Sequence, residues 1–240
     1  MIYSWFQAGR SILVFGLLYL FTFIMVIIVL LFILVSLKRT IPYLIDFWAN
    51  TIFFIMGKKI HITGRENIMD DKNYILVANH SSLFDIVAIV SFFPTVTWFG
   101  HERLLRIPLF SRILKLTDYI PVREKSISNT REMFDDLVQK SHEHSVAIFP
   151  EGTRTLDGKI NKFYKGFIYL LRASEIDILP VTLNGFYCLK PKTRTHIDFS
   201  ARLGIIIHQP IEYKKLYFKK DQEIIEEVRE VVKSGYVPDE

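Results

Sequence analysis

The sequence predicts an α/β domain whose central, mostly covered β-sheet is flanked by helices, with an N-terminal membrane-associated helical segment. Short runs rich in β-branched and other apolar residues, such as 74–78 and 145–149, have the length and composition of buried strands. Stretches with a helical spacing of apolar residues lie between such runs, and this alternation is typical of α/β folds. Residues 12–37 contain no charged side chain, which sets them apart from the rest of the chain.

The uncharged run at residues 12–37 is long enough for a membrane helix. A helix of that length extends about 39 Å, more than the roughly 30 Å hydrocarbon core of a bilayer. One basic residue, Arg10, precedes the run. The basic residues that follow it are Lys38, Arg39, Lys58 and Lys59. This bias predicts a domain on the cytoplasmic side of a membrane, and it leaves open whether the helix spans the bilayer or lies in it.

A second apolar segment, at residues 41–56, is shorter and is interrupted by polar residues. We interpret it as a helix at the membrane interface. Its aromatic side chains would then lie at the depth of the lipid headgroups: Tyr43, Phe47, Trp48, Phe53 and Phe54. The alternative is a helix packed on the domain that follows. We therefore predict a membrane-anchoring helical segment at residues 1–57 and the α/β domain at residues 58–240.

Strands and helices alternate within the predicted domain. Strands are predicted at 59–64, 74–78, 95–100, 145–149, 177–183 and 197–207. Helices are predicted after Ser81-Ser82, which offer an N-cap, and at 126–142, 166–173 and 222–233. His61 falls on the polar face of the first strand, so we expect this side chain to be solvated.

Composition restricts the partners that the chain can have. A net charge of +5, with half of the 240 residues hydrophobic, suits either nucleic acid or an anionic membrane surface. The apolar excess lies at the N-terminus and no recognisable nucleic-acid-binding motif is present, so we predict a lipid bilayer as partner and no nucleic acid. The lone cysteine, Cys188, excludes a disulfide framework. Neither a metal-ligand spacing nor a glycine-rich nucleotide loop occurs, so we expect no metal and no cofactor.

His80 follows the predicted strand at 74–78, on the turn that leads into a helix. An imidazole on such a turn can take a proton from an alcohol and return it to a leaving group. Asp85 is the nearest carboxylate that could orient His80, and the two can meet if His80 lies outside the helix and folds back. The alternative is structural, because Ser82 and Asp85 fit a capping box in which Asp85 binds a backbone amide.

Polar residues also follow the predicted strand at 145–149. Gly152 can adopt backbone angles that turn amide hydrogens toward an anion, and Thr153 adds a hydroxyl. Arg154 can form two parallel hydrogen bonds to a phosphate. These residues predict a phosphate-binding turn, whereas the alternative is an ordinary turn with a surface pair of Arg154 and Glu151.

Together, the two turns resemble those of the glycerolipid acyltransferases. The resemblance rests on Asn79-His80, four residues and Asp85, followed about 65 residues later by the segment 149–154, Phe-Pro-Glu-Gly-Thr-Arg. It covers roughly residues 58–215 and includes the blocks Ile107-Pro108-Leu109-Phe110 and Ile120-Pro121-Val122. The chain departs from the family pattern at Glu102 and Arg103, where members often carry lysine and glutamate. It departs again at Arg123, because many members place this arginine one residue later, where this chain has Glu124.

The resemblance implies an acyltransferase catalytic domain that transfers a fatty acyl group from a thioester to a lysophospholipid. The donor would be acyl-CoA or acyl carrier protein, and the acceptor the sn-2 hydroxyl of 1-acylglycerol 3-phosphate, which gives phosphatidic acid. His80 would deprotonate the hydroxyl and Asp85 would orient His80. The substrate-binding residues it implies are Glu151, Gly152, Thr153, Arg154 and Arg123, with Glu151 ordering the loop.

Other functional hypotheses for the same residues remain open. The acceptor could be another lysolipid or glycerol 3-phosphate. Lipid hydrolysis is disfavoured because the sequence has no Gly-x-Ser-x-Gly nucleophile elbow. A non-catalytic membrane adaptor that keeps the fold would give no acyl product.

Overall fold

The computed structural model describes residues 2–101, 120–122 and 137–238. The strands are β1 (Ile60–Thr63), β2 (Ile75–Ala78), β3 (Thr97–His101), β4 (Ile120–Val122), β5 (Val146–Ile148), β6 (Ile178–Asn184) and β7 (Leu203–Ile207). The labelled helices are α1 (Ile2–Leu34), α2 (Ile41–Ile55), α3 (Phe84–Val90), α4 (Gly166–Ser174), α5 (Phe186–Leu189), α6 (Tyr213–Leu216) and α7 (Asp221–Ser234). Residues 137–143 are also helical. The remainder of the helix predicted at 126–142 lies outside the described residues, as do Arg123 and the block at 107–110.

The seven strands form one sheet in the order β1-β7-β6-β2-β5-β3-β4. The β6–β7 pair is antiparallel and all the other pairs are parallel. Strand β2 lies between β5 and β6, and each of its residues is buried. Because parallel neighbours end at the same edge of a sheet, the turns that follow β2 and β5 lie side by side.

Helices cover both faces of the sheet. Residues of β2 alternate between two cores, with Leu76 and Ala78 in one and Ile75 and Val77 in the other. The first core also contains residues of α1, α2 and α3, and the second contains residues of α4 and α7. A sheet buried on both sides is what the continuous apolar strands predict. The predicted α/β class with a covered central sheet is therefore confirmed.

Helix α1 is the one helix among the described residues that is long and apolar enough to cross a membrane. An 18-residue window within Gln7–Leu34 has a mean hydropathy of 3.2. Ten of the large apolar side chains of α1 are exposed, whereas Val14 and Leu18 pack into the core of the domain. Near its start, the Ser11 hydroxyl accepts a hydrogen bond from the Ile197 N–H at 3.0 Å. The length and composition of this helix fit membrane association.

Helix α2 corrects one detail of the interfacial interpretation. Phe53 is buried in the core, with ring centroids 6.4 Å from Phe84 and 6.3 Å from Phe186, so the expectation that it lies among lipid headgroups is wrong. Trp48 donates a hydrogen bond from its indole nitrogen to the Thr22 hydroxyl of α1 at 3.1 Å. The aromatic side chains that α2 leaves exposed are Tyr43, Phe47 and Phe54.

The strand predicted at 197–207 begins later than expected. The Asp198 carboxylate accepts hydrogen bonds from the Ser200 N–H at 2.8 Å and from the Ser200 hydroxyl at 2.6 Å. This local turn competes with strand pairing, so β7 starts only at Leu203. The prediction that His61 is exposed on the polar face of β1 is confirmed.

Gly185 ends β6 in a conformation that only glycine adopts readily. Its φ is +79°, and a Cβ atom built there would lie 1.8 Å from the main-chain oxygen of Arg202. We expect Gly185→Ala to lower the free energy of unfolding by at least about 1–3 kcal/mol, the usual cost of such backbone strain. Chemical denaturation measures this change, and Gly16→Ala, at a site with open space around it, serves as the control. Equal stability of Gly185→Ala and wild type would contradict the expectation.

Candidate active site

The turn after β2 brings His80 and Asp85 together at the carboxyl end of this strand. The Asn79 side chain fastens this turn to β6, because it accepts the Leu183 N–H at 2.8 Å and donates to the Leu183 carbonyl at 2.9 Å. His80 then folds back over the start of α3, and its Nδ1 atom lies 2.9 Å from Asp85 Oδ2. The predicted contact is present, and it requires His80 to lie outside the helix, as it does.

Asp85 makes the contacts that both hypotheses require, one with the His80 ring and others with backbone amides. Its Oδ2 atom accepts the Ser81 N–H at 2.6 Å and the Ser82 N–H at 2.8 Å, in addition to the contact with His80. Its side chain is fully buried, whereas 16% of the His80 side chain is exposed. A carboxylate that accepts two amides is suited to accept from Nδ1 as well. In the tautomer whose Nδ1 donates to Asp85, the Nε2 atom carries no proton and can receive one from a bound molecule.

An aromatic stack holds the plane of the His80 ring. The ring lies parallel to that of Phe149, with centroids 4.0 Å apart and an interplanar angle of 11°. Trp98 lies beyond Phe149 at 5.6 Å. The sequence places Phe149 at the end of a strand and in the segment that carries the family resemblance, but not in contact with His80. Its contact with His80 arises because β2 and β5 are neighbours in the sheet, which no local pattern reveals.

Glu151 joins the turn after β5 to the turn after β2. Its Oε1 atom accepts the His80 N–H at 2.8 Å, and its Oε2 atom accepts the Asn161 N–H at 2.9 Å. In return, the Thr155 N–H donates to the His80 carbonyl at 2.9 Å. Burial raises the pKa of the Glu151 carboxyl group, while the two backbone hydrogen bonds act in the opposite direction. Glu151 therefore holds the backbone of both turns, and its carboxylate is directed inward.

The turn after Glu151 has the backbone shape that the sequence predicts. Gly152 has φ +68°, in the left-handed region, although its own N–H donates to the Phe149 carbonyl at 3.1 Å. Gly152 and Thr153 are exposed, and Arg154 is half-buried. The Gly152 amide is therefore engaged within the turn, and the side-chain donors that the turn offers to an anion are the Thr153 hydroxyl and the Arg154 guanidinium.

Lys190 is a basic residue near this turn that the sequence analysis did not identify. The Ser82 hydroxyl donates to the Lys190 carbonyl at 2.8 Å, and Lys190 Nζ donates to the Pro191 carbonyl at 3.2 Å. Burial lowers the pKa of the Lys190 ammonium group, and the nearby positive charges of Arg154 and Arg194 lower it further. Cationic groups thus gather beside the His80 turn. Lys190 follows the short helix α5, where neither spacing nor a motif distinguishes it from a surface lysine.

This arrangement can accept a proton and bind an anion. His80, oriented by a buried carboxylate, is a candidate general base. Arg154 and Lys190 provide positive charge for an anionic group, with Thr153 as an additional donor. In the part of the chain that the structure describes, no group of three or more histidine, cysteine or acidic side chains could hold a metal ion.

The sequence and the fold both match characterised proteins. The sequence model of the acyltransferase family matches residues 59–184. The crystal structure of the 1-acyl-sn-glycerophosphate acyltransferase PlsC from Thermotoga maritima superposes with a TM-score of 0.81 at 27% identity, covering 95% of each chain.

Two curated relatives are similar over more than half of this chain. A 1-acyl-sn-glycerol-3-phosphate acyltransferase of Borreliella burgdorferi is 32% identical over 160 residues, which is 65% of this chain and 62% of the relative. A chloroplastic 1-acyl-sn-glycerol-3-phosphate acyltransferase of Arabidopsis thaliana is 27% identical over 177 residues, 72% of this chain and 49% of the relative. The matched region thus spans about half to three-fifths of the length of these relatives.

Proposed function

Because this chain belongs to the acyltransferase family, we propose that it transfers a fatty acyl group from a thioester to the sn-2 hydroxyl of 1-acylglycerol 3-phosphate. The product is phosphatidic acid. The observation that carries the proposal is the contact of His80 with the buried Asp85, beside a turn that presents Arg154. The names of the relatives from Borreliella burgdorferi and Thermotoga maritima support the same acceptor.

His80 acts as the general base in this proposal. Its Nε2 atom takes the proton of the acceptor hydroxyl as the oxygen attacks the thioester carbonyl. The tetrahedral intermediate collapses, the carbon–sulfur bond breaks, and the imidazolium returns the proton to the thiolate. Asp85 holds Nδ1 and stabilises the imidazolium, which is the role that a carboxylate has in a Ser-His-Asp triad.

The phosphate of the acceptor positions its hydroxyl. Arg154 and Lys190 contribute positive charge, and Gly152 and Thr153 shape the turn that presents Arg154. Holding the phosphate restricts the motion of the hydroxyl relative to His80, which can lower a reaction barrier by several kcal/mol. Glu151 contributes by ordering both turns. The role implied for Arg123 stays a prediction from the family resemblance.

A membrane location fits substrates whose acyl chains partition into the bilayer. The apolar helix α1 supports residues 1–57 as a membrane anchor for a catalytic domain at residues 58–240. The excess of basic residues after α1 favours the cytoplasmic face for this domain. We propose acyl-CoA or acyl carrier protein as donor and no resident cofactor, because the acyl thioester is already activated.

An acceptor panel tests the proposal. Detergent-solubilised protein is incubated with labelled acyl-CoA, and in parallel with acyl-acyl carrier protein. The acceptors are 1-acylglycerol 3-phosphate, an uncharged monoacylglycerol, a lysophosphatidylcholine and glycerol 3-phosphate. We expect phosphatidic acid from the first acceptor and at least about ten-fold less product from each of the others. Preference for a different acceptor would overturn the assignment of substrate, and no acyl transfer with either donor would overturn the proposed activity.

Replacing Arg154 should weaken binding of the acceptor phosphate. A hydrogen bond to a charged group contributes about 1.5–3 kcal/mol, so we expect Arg154→Met to raise KM for 1-acylglycerol 3-phosphate by roughly 10- to 100-fold. KM for the acyl donor should change less than about three-fold, since in this proposal Arg154 holds the phosphate of the acceptor and not the donor. Steady-state kinetics with each substrate varied in turn measures both values.

Lys192→Met is the matched control for Arg154→Met. Lys192 is an exposed cation two residues from Lys190 in the sequence, and its loss removes the same charge. We expect its KM for the acceptor to remain within about two-fold of wild type. Similar increases in the two variants would indicate a general attraction of anions and would contradict a phosphate ligand at Arg154.

A further inference from the structure

The segment after the phosphate turn is held by its carbonyl groups against helix α7. Arg229, on α7, donates from Nε to the Asn161 carbonyl at 3.1 Å and from Nη2 to the Ile160 carbonyl at 3.3 Å. Earlier in the segment, the Tyr187 hydroxyl donates to the Leu156 carbonyl at 2.8 Å. A planar guanidinium can bind two adjacent carbonyls at a defined angle, which a lysine ammonium cannot do.

Asn161 links this clamp to the turn that carries His80. Its carbonyl accepts from Arg229, and its N–H donates to Glu151 Oε2 at 2.9 Å. Glu151 Oε1 accepts the His80 N–H at 2.8 Å. Three consecutive contacts therefore connect a side chain on the C-terminal helix to the backbone of His80.

Glu151, in the middle of this series of contacts, is buried, so its hydrogen bonds cannot be replaced by bonds to water. Only 2% of Glu151 is exposed, and a buried carboxylate is costly unless each oxygen has a donor. Loss of the Asn161 N–H would leave Glu151 Oε2 with one donor fewer and favour rearrangement of the side chain. The His80 N–H depends on the same side chain, so a displacement of Asn161 is transmitted to His80.

We propose that Arg229 is a positioning residue. It acts through Asn161 and Glu151 and holds His80 in the position that proton transfer requires. This inference rests on the proposed function. Arg229 also lies 3.2 Å from Glu230, but 58% of the Glu230 side chain is exposed, and exposed ion pairs contribute little to stability. We therefore expect Arg229 to position His80 through its two hydrogen bonds to carbonyl groups and not through the ion pair.

The test compares Arg229→Met with Glu230→Gln, which removes the ion pairs of Glu230 with Arg229 and Lys233 and leaves the carbonyl contacts of Arg229 in place. We expect Arg229→Met to lower kcat by about ten-fold while KM for the acceptor stays within about two-fold, because a displaced base affects chemistry more than binding. Glu230→Gln should keep the wild-type kcat. In a Glu151→Gln background, Arg229→Met should cause little additional loss, since both changes interrupt the same series of contacts.

Amide hydrogen exchange tests the inference without any assay of activity. In Arg229→Met, the amides of Asn161 and His80 should exchange at least about five-fold faster, while those of β7 keep their wild-type rates. Arg229→Lys, which keeps the charge, is the second variant if the methionine variant does not fold, and it should show a smaller change in the same direction.

Several results would overturn the role of Arg229. Unchanged exchange at His80, equal losses of kcat in Arg229→Met and Glu230→Gln, or independent losses in the Glu151→Gln background would each do so. If wild-type protein transferred no acyl group, the proposed function would fail, and the exchange rates would still decide whether the series of contacts positions His80.

Discussion

Replacement of His80 by alanine is expected to lower kcat for acyl transfer by about 10²- to 10⁴-fold, the range typical for loss of a general base. Without the imidazole, the acceptor hydroxyl must attack as the neutral alcohol, and no group returns a proton to the departing thiolate. KM for 1-acylglycerol 3-phosphate should change much less, because its phosphate is held by other residues. Single-turnover and steady-state rates on purified protein measure the two effects separately.

His61→Ala is the matched control for this variant. His61 is an exposed histidine on β1, so its removal tests the loss of an imidazole away from the proposed site. We expect its kcat to remain within about two-fold of wild type. A His80→Ala protein that stays folded by circular dichroism and retains more than about a tenth of the wild-type kcat would refute general-base catalysis by His80.

The contact between His80 and Asp85 was predictable because its determinants are local. A buried strand, a turn and a helix follow one another within a few residues, and the strand β2 and helix α3 occur where the apolar pattern predicts them. A separation of five residues allows the histidine to fold back onto the carboxylate only from outside the helix. The alternation of strands and helices was predictable for the same reason, since each element leaves its own periodicity in the sequence.

Contacts between residues far apart in the sequence could not be predicted in this way. Glu151 is 71 residues from His80, and its hydrogen bond exists because β2 and β5 are adjacent. The stacking of Phe149 on His80 has the same origin. Strand order, which local patterns do not encode, decides such contacts.

The burial of Phe53 and the position of Lys190 were also beyond sequence reasoning. Phe53 is one of several aromatic residues on α2, and only the packing of α2 against α3 and α5 distinguishes it from its exposed neighbours. Lys190 reaches the site because Ser82 binds its carbonyl across the end of the sheet. In both cases, the tertiary structure selects one member from a set of similar residues.

Replacement of Asp85 by asparagine is expected to lower kcat by about 10²- to 10⁴-fold, with KM for the acceptor nearly unchanged. The asparagine side chain is close in size to the aspartate, but only one of its two terminal atoms can accept hydrogen bonds. If its amide group faces His80 Nδ1, it favours the tautomer with the proton on Nε2, which can no longer act as the base. If its oxygen faces Nδ1, the charge that stabilises the imidazolium is lost, and a buried amide group lies where Asp85 Oδ1 has no hydrogen-bond partner among the described residues.

The double variant separates this role from a purely structural one. If Asp85 acts through His80, Asp85→Asn should reduce the remaining rate of His80→Ala by less than about three-fold, because the group that it orients is already absent. If Asp85 only holds the amides of Ser81 and Ser82, its loss should instead lower the free energy of unfolding and reduce kcat by a similar factor in both backgrounds. Chemical denaturation and kinetics on the four proteins distinguish these cases, and equal factors in the two backgrounds would contradict an orienting role for Asp85.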